Sequence, residues 1–357
     1  LAKKEHPIRE YVHLLDERGR VVPFYIKHDS HLPNINMTYE PYRRVECGVM
    51  PIYPPILKRG DTIGIVTLGS PLSYVTINNG ISVLRSMGFH VVLGNYVYAV
   101  DGYLAGTDEQ RATDLMNMFM DHKVNMILPT RGGVGVAGIL PYLDYDIIAA
   151  NPKILSGYSD VSVLMNTLYQ FSDLVTFSSL LLFDFRNSTP TYSFNQFFEA
   201  VSTLSAPRII RNPPNMPLIS KVLGSVTGPI VGGNLSSIID TLGTSYEIDT
   251  AGKILLLEET HEPINKVYRM INHLKLAGKF NDCIGIVMGE CTDCQVVYGK
   301  SYNDLIDEAI VPIGKPLMTN IASAHGKYKA AIPIGAMVHL NTYNHTLTVL
   351  EPTVSSS

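Results

Sequence analysis

The sequence predicts an α/β protein of two domains, the first a mostly parallel sheet flanked by helices and the second a smaller mixed α/β domain. Three observations predict it. Apolar runs rich in Val, Ile and Leu alternate with helical stretches, as at residues 62–67, 76–87 and 89–93, and strand, helix, strand at this spacing reads as a βαβ unit. A polar, Pro-containing stretch at residues 206–222 separates two such series. The 357 residues, 46% hydrophobic and 17% charged, are enough for two cores.

Residues 1–50 differ from the rest and read as an N-terminal extension. Residues 11–15 and 21–26 flank a polar turn containing Gly19 and are expected to form two short strands. The segment with Pro33, Asn34, Asn36 and Pro41 reads as an extended arm. It would pack on the main body, mediate association such as a homodimer, or end a preceding domain. The first domain is assigned to residues 51–205. A turn at residues 58–61 leads into a buried strand at 62–67, a helix at 76–87 stops at Gly88, and a strand follows at 89–93. Thr107 and Gln110 stand in capping-box positions for a helix running to about residue 119. The strand at 125–129 opens into Thr130-Arg131-Gly132-Gly133-Val134-Gly135, a loop whose glycines let backbone approach a ligand or an oxyanion. It lacks the Gly-Lys-Ser/Thr ending of a phosphate loop.

Lys153 to Asp160 then reads as a strand ending in a sharp turn, with a helix at residues 161–171 behind it. This places Ser159 where a nucleophile would stand: Gly157 removes a Cβ from the turn, and the N–H of Asp160 is free to hold a developing oxyanion. The same residues also suit an ordinary helix start, with Ser159 or Asp160 as N-cap. A further strand at 174–177 and a helical piece near 194–204 complete the domain, and residues 206–222 are assigned as the linker. In the second domain, residues 223–357, Gly232-Gly233-Asn234-Leu235 turns a strand into a helix, and the apolar run at 253–257 stops at Glu258 and Glu259. Carboxylates at the end of a buried strand need partners. Strand alternation sends the two to opposite faces. A helix at 264–277, a strand at 284–288, a loop carrying His325, and two strands near 337–340 and 347–350 close the chain.

Composition excludes several classes. The net charge of −4 and the scattered Lys and Arg residues give no nucleic-acid footprint, and no apolar run is long enough to span a bilayer. Of the four cysteines, Cys291 and Cys294 have a redox or zinc spacing, but no second pair follows. They read as structural or incidental thiols. No metal site and no cofactor are expected. The chain begins at Leu1, as an excerpt or processed product would, and no signal peptide is visible. A cytoplasmic location is expected, with an exported form whose signal has been removed left open.

The order Ser159, Glu258, His325 resembles the LD-carboxypeptidase family of serine peptidases, which includes murein tetrapeptide carboxypeptidases and microcin C immunity proteins. The resemblance runs from about residue 56 to 352. It rests on Leu57-Lys58-Arg59-Gly60-Asp61, residues 103–108, Arg131-Gly132-Gly133, Gly157-Tyr158-Ser159-Asp160, Gly232-Gly233-Asn234-Leu235, Leu257-Glu258-Glu259, His325-Gly326 and Leu350-Glu351-Pro352. It implies a triad with Ser159 as nucleophile, His325 as general base and acid, and Glu258 orienting the imidazole. The oxyanion would be held by backbone N–H groups of Asp160 and of Gly132 or Gly133. The other histidines, His261, His273, His339 and His345, have no elbow serine to serve. Where the family commonly has a His-Gly-Pro turn this chain has Ser178-Ser179-Leu180. It contains no tryptophan to stack on a nucleotide, which leaves that role to Tyr or Phe within residues 183–198. The expected substrate is thus a muropeptide or similar small peptide, cleaved at an L,D-peptide bond. The alternatives are an amidase acting on a peptidyl-nucleotide antibiotic and a non-catalytic muropeptide-binding protein.

Overall fold

Two sheets, each covered on both faces, arise from the alternating pattern. The structure is a computed structural model and describes residues 50–356; the strands expected at residues 11–26 lie outside the described residues. The first domain runs β1 (Thr62–Val66), α1 (Tyr74–Ser86), β2 (His90–Leu93), α2 (Asp108–Met120), β3 (Val124–Pro129), α3 (Tyr145–Ala150), β4 (Ile154–Gly157), α4 (Val161–Ser172), β5 (Thr176–Ser178) and α5 (Thr191–Val201). The helix ends follow the sequence signals. Ser73 caps α1, Gly88 follows it with φ +93°, and both halves of the Thr107 and Gln110 capping box form at α2.

The second domain contains β6 (Arg208–Ile210), β7 (Ile219–Val222), β8 (Ser225–Asn234), α6 (Leu235–Ile239), β9 (Ile254–Thr260), α7 (Ile264–Leu276), β10 (Gly285–Thr292) and β11 (Leu317–Ile321), then β12 (Ile332–Ile334), β13 (Met337–Asn341) and β14 (Thr346–Val349). The first sheet has the order β12-β5-β4-β3-β1-β2 and is parallel except for β12. The second has the order β6-β14-β13-β8-β9-β10-β11-β7, with a parallel centre from β8 to β11 and antiparallel flanks.

Strand alternation fills both faces of the first sheet. Ile63 and Ile65 meet Ile77, Ile81 and Leu84 of α1 on one side, while Ile127 and Leu155 meet Leu115 and Phe119 of α2 and Leu164 of α4 on the other. The direction of winding reverses between β1 and β3, where ligands bind at the carboxyl ends of strands in open sheets. The loops leaving β1, β3 and β4 all emerge at that edge.

Two stretches differ from their sequence reading. Residues 206–222 contain β6 and β7, which lie at opposite ends of the second sheet. Edge strands this short, set among prolines, carry the composition of a linker, yet Arg208 is buried and its Nη2 donates to Ala331 O at 2.9 Å. The chain also crosses back: β12 pairs antiparallel with β5 of the first sheet, and Ser355 N–H donates to Pro54 O at 2.9 Å. The halves are further joined by Asn166 of α4. Its Nδ2 donates to Gly232 O at 2.9 Å and its Oδ1 accepts from Gly232 N–H at 2.8 Å. Gly232 needs φ +119°, and a Cβ there would lie 2.0 Å from Leu256 O.

Candidate active site

The strand-to-helix turn after β4 holds Ser159 at φ +62°, a left-handed conformation uncommon for a side-chain-bearing residue. The turn is tight because α4 packs back onto the strand; a Cβ on Gly157 would fall 2.9 Å from Val161 Cγ1. Asp160 occupies the N-cap position of α4 without capping it through its side chain. Its buried carboxylate instead accepts from Val136 N–H at 2.7 Å. Burial pushes the Asp160 carboxyl above its usual range, and this hydrogen bond opposes the shift.

The glycine loop after β3 abuts this turn. A Cβ on Gly132 would lie 2.8 Å from Ser159 Cβ, 3.0 Å from Asp160 N and 3.1 Å from Ser159 Oγ. Gly133 has φ +87° and a different neighbour, since a Cβ there would fall 2.3 Å from Ser70 Cβ. Ser70 N–H donates to Gly132 O at 3.1 Å and Ser70 Oγ accepts from Val134 N–H at 3.1 Å. Arg111, fully buried, anchors the far side of the loop by donating to Gly135 O at 2.8 Å and also to Leu68 O.

In the second domain β9 ends its apolar run with Glu258, whose Oε2 lies 2.8 Å from His325 Nδ1. The Glu258 side chain is 2% exposed and that of His325 17%, so the carboxylate is buried and the imidazole partly open. Glu259 faces the other way and accepts from Ser236 N–H at 2.8 Å, Ser236 Oγ at 2.5 Å and Thr260 N–H at 2.9 Å. The ring of Tyr158, the residue before Ser159, meets the His325 imidazole edge-on with centroids 5.1 Å apart. The structure thus brings Ser159, Asp160 and Gly132 together, joins Glu258 to His325, and links the two groups through Tyr158.

Three of the other described histidines have partners elsewhere. His261 is 73% exposed beside Asp293, His339 contacts Thr227 Oγ1 at 2.8 Å, and His345 contacts Ser220 Oγ at 2.8 Å. The reading of Cys291 and Cys294 as thiols is corrected: they form a disulfide, their Cα atoms 5.4 Å apart across the turn that ends β10. Among the described residues no group of three or more His, Cys, Asp or Glu is placed to hold a metal. No helix among them is long and apolar enough to cross a membrane. A groove of about 620 Å³ lined by Ile56, Arg59, Met87 and Phe89 lies at the amino ends of β1 and β2, away from Ser159.

Sequence reasoning passed over Tyr158, Asp184, Glu290 and Lys329, all near His325. The available signal was charge next to apolar runs: Lys329 immediately precedes Ala330-Ala331-Ile332, and Asp184 sits within Leu180 to Phe185.

Residues 63–179 match the N-terminal domain of the LD-carboxypeptidases and residues 227–340 match their C-terminal domain. The chain belongs to the LD-carboxypeptidase family of serine peptidases. It is 34% identical over 310 residues to a probable murein peptide carboxypeptidase of Bacillus subtilis, covering 85% of this chain and 95% of that one. It is 26% identical over 337 residues to the microcin C7 self-immunity protein of Escherichia coli, covering 86% and 98%. Among solved structures, an MccF-like protein from Bacillus anthracis superposes with a TM-score of 0.75 at 26% identity, covering 84% of this chain and 99% of that one.

Proposed function

We propose that this LD-carboxypeptidase-family enzyme hydrolyses an L,D-peptide bond in muropeptides, releasing a terminal D-amino acid, with Ser159, His325 and Glu258 as its triad. The observation that carries the reading is the His325 Nδ1 to Glu258 Oε2 contact of 2.8 Å, with the same imidazole edge-on to Tyr158, the neighbour of a serine held at φ +62° on a strand-to-helix turn. Glu258 fixes the tautomer with the proton on Nδ1, leaving Nε2 as the base. Ser159 Oγ gives its proton to Nε2 as it attacks the carbonyl carbon, and the carbonyl oxygen takes the charge. The N–H of Asp160 lies at the start of α4, where helix donors lack intrahelical partners, and is the first candidate to hold that oxygen. The second comes from Gly132 or Gly133, of which Gly132 lies against Ser159. Collapse breaks the C–N bond, the imidazolium protonates the departing amine, and a water deprotonated by His325 frees Ser159 from the acyl-enzyme.

The murein reading is supported by the name of the Bacillus subtilis relative and by the aromatic stretch. Phe185, Phe194, Phe197 and Phe198 pack edge-on against one another, which withdraws them from stacking on a nucleotide. The amidase alternative draws on the microcin relative and on Phe183, whose ring carries the Arg186 guanidinium 4.2 Å from its centroid. Incubation with a murein tetrapeptide and with a peptidyl adenylate, followed by mass spectrometry, decides between them. Loss of the terminal D-amino acid from the tetrapeptide is the expected outcome; cleavage of the adenylate alone would replace the proposal with the amidase. Turnover of neither would favour a binding protein.

A further inference from the structure

The loop carrying His325 leaves β11 at Ile321 and enters β12 at Ile332. Its neck is closed by Ala330 N–H donating to Ala322 O at 2.9 Å. That bond fixes the ends of the loop but not its tip, where His325 and Gly326 sit. Lys329 reaches the tip. Its Nζ donates to Gly326 O at 3.0 Å, lies 3.5 Å from Asp184 Oδ1, and stands 5.4 Å from the centroid of the Tyr158 ring. Tyr158 donates its hydroxyl to the same Asp184 oxygen at 3.3 Å, and Asp184 Oδ2 accepts from Leu181 N–H at 3.0 Å. On the other side, Glu290 Oε2 would lie 1.7 Å from a Cβ built on Gly326, so the carboxylate occupies the space that a side chain would need.

We propose that Lys329 is a positioning residue for the peptidase reaction: its buried ammonium fastens the histidine loop to the serine turn through Gly326 O, Asp184 and Tyr158. The inference rests on reading His325 as the base and Ser159 as the nucleophile. An ammonium suits the place because it offers three donors and no acceptor, and can serve a carbonyl, a carboxylate and a ring face together. The Lys329 and Asp184 side chains are 11% and 2% exposed, so each charge needs the other. Burial pushes the Asp184 carboxyl up, and the Lys329 charge pulls it back. Because Tyr158 precedes Ser159, any shift of the network moves base and nucleophile relative to each other.

The test is Lys329→Met beside the double variant Asp184→Asn with Lys329→Met, which removes both members of the Lys329–Asp184 pair. Lys329→Met should lower kcat by about 10- to 100-fold, the scale of a displaced reacting group, with KM within about twofold of wild type. The double variant should regain the wild-type thermal midpoint while keeping the loss of kcat, and it decides the matter if the single variant fails to fold. The inference is overturned if Lys329→Met keeps kcat within twofold, or if the double variant regains kcat together with stability. Ser159→Ala separates this from the parent reading. Inactive Ser159→Ala with fully active Lys329→Met defeats the positioning role alone, whereas active Ser159→Ala defeats both.

Discussion

At Ser159 a left-handed backbone and the hydroxyl proposed as the nucleophile share one residue. A Cβ in that region costs roughly 1–2 kcal/mol, which the surrounding turn must absorb. Ser159→Ala keeps the Cβ and loses the hydroxyl, so turnover should vanish with the melting temperature close to wild type. Ser159→Gly should be equally inactive yet unfold at the same or a higher temperature than Ser159→Ala, because glycine adopts φ +62° without the steric cost. Paired thermal melts and product assays check both; an active Ser159→Ala removes the nucleophile assignment. The same scale explains why Glu258 and Glu259 are not interchangeable. Each is 2% exposed, but alternation gives one His325 and the other Ser236.

At the scale of elements, the loop after β3 sets two adjacent glycines against different neighbours, Ser159 and Ser70. Gly132→Ala sets a methyl 2.8 Å from Ser159 Cβ and 3.1 Å from Ser159 Oγ, so the serine turn itself must shift, and should lower kcat by about 100-fold along with some loss of stability. Gly133→Ala meets Ser70 at 2.3 Å with φ +87°, and should lower the melting temperature as well. Equal effects of the two on kcat and on stability would mean that the loop is only a turn. Elements such as this one were legible because their signals are local. The Thr107 and Gln110 box, the stop at Gly88 and the end of the apolar run at Glu258 are each written within a few residues. What escaped depends on distant partners: β7 pairs with a strand 95 to 100 residues further along and β6 with one 137 to 141 residues further along, and β12 is a three-residue strand containing Pro333. Lys329 gives no local sign that it will meet Asp184, nor do Cys291 and Cys294 reveal whether their spacing becomes a disulfide.

For the whole molecule, buried carboxyl groups set how stability varies with pH. Burial raises Asp114, Asp160, Asp184, Glu259 and Glu290 above their ordinary range. Hydrogen bonds from Ser301 lower Asp304. A carboxyl with a raised folded-state pKa holds more protons folded than unfolded in the window above its ordinary value, so its contribution is lost as pH rises through that window. The melting temperature should therefore climb as pH is lowered from 7 toward about 5 before acid unfolding sets in. A monotonic fall over that interval, measured by calorimetry, would contradict this balance. The pairing of β12 with β5 bears on how the protein is made. The edge of the serine-bearing sheet is covered by residues 332–334, so on the ribosome β5 waits as an open edge strand until the whole second half of this domain pair, through β12, has been synthesised. His325 is translated only a few residues ahead of the same strand. The proposed base and closure of the sheet then arrive almost together, and a nascent chain stopped before residue 325 carries a serine turn with neither its proposed base nor its finished edge.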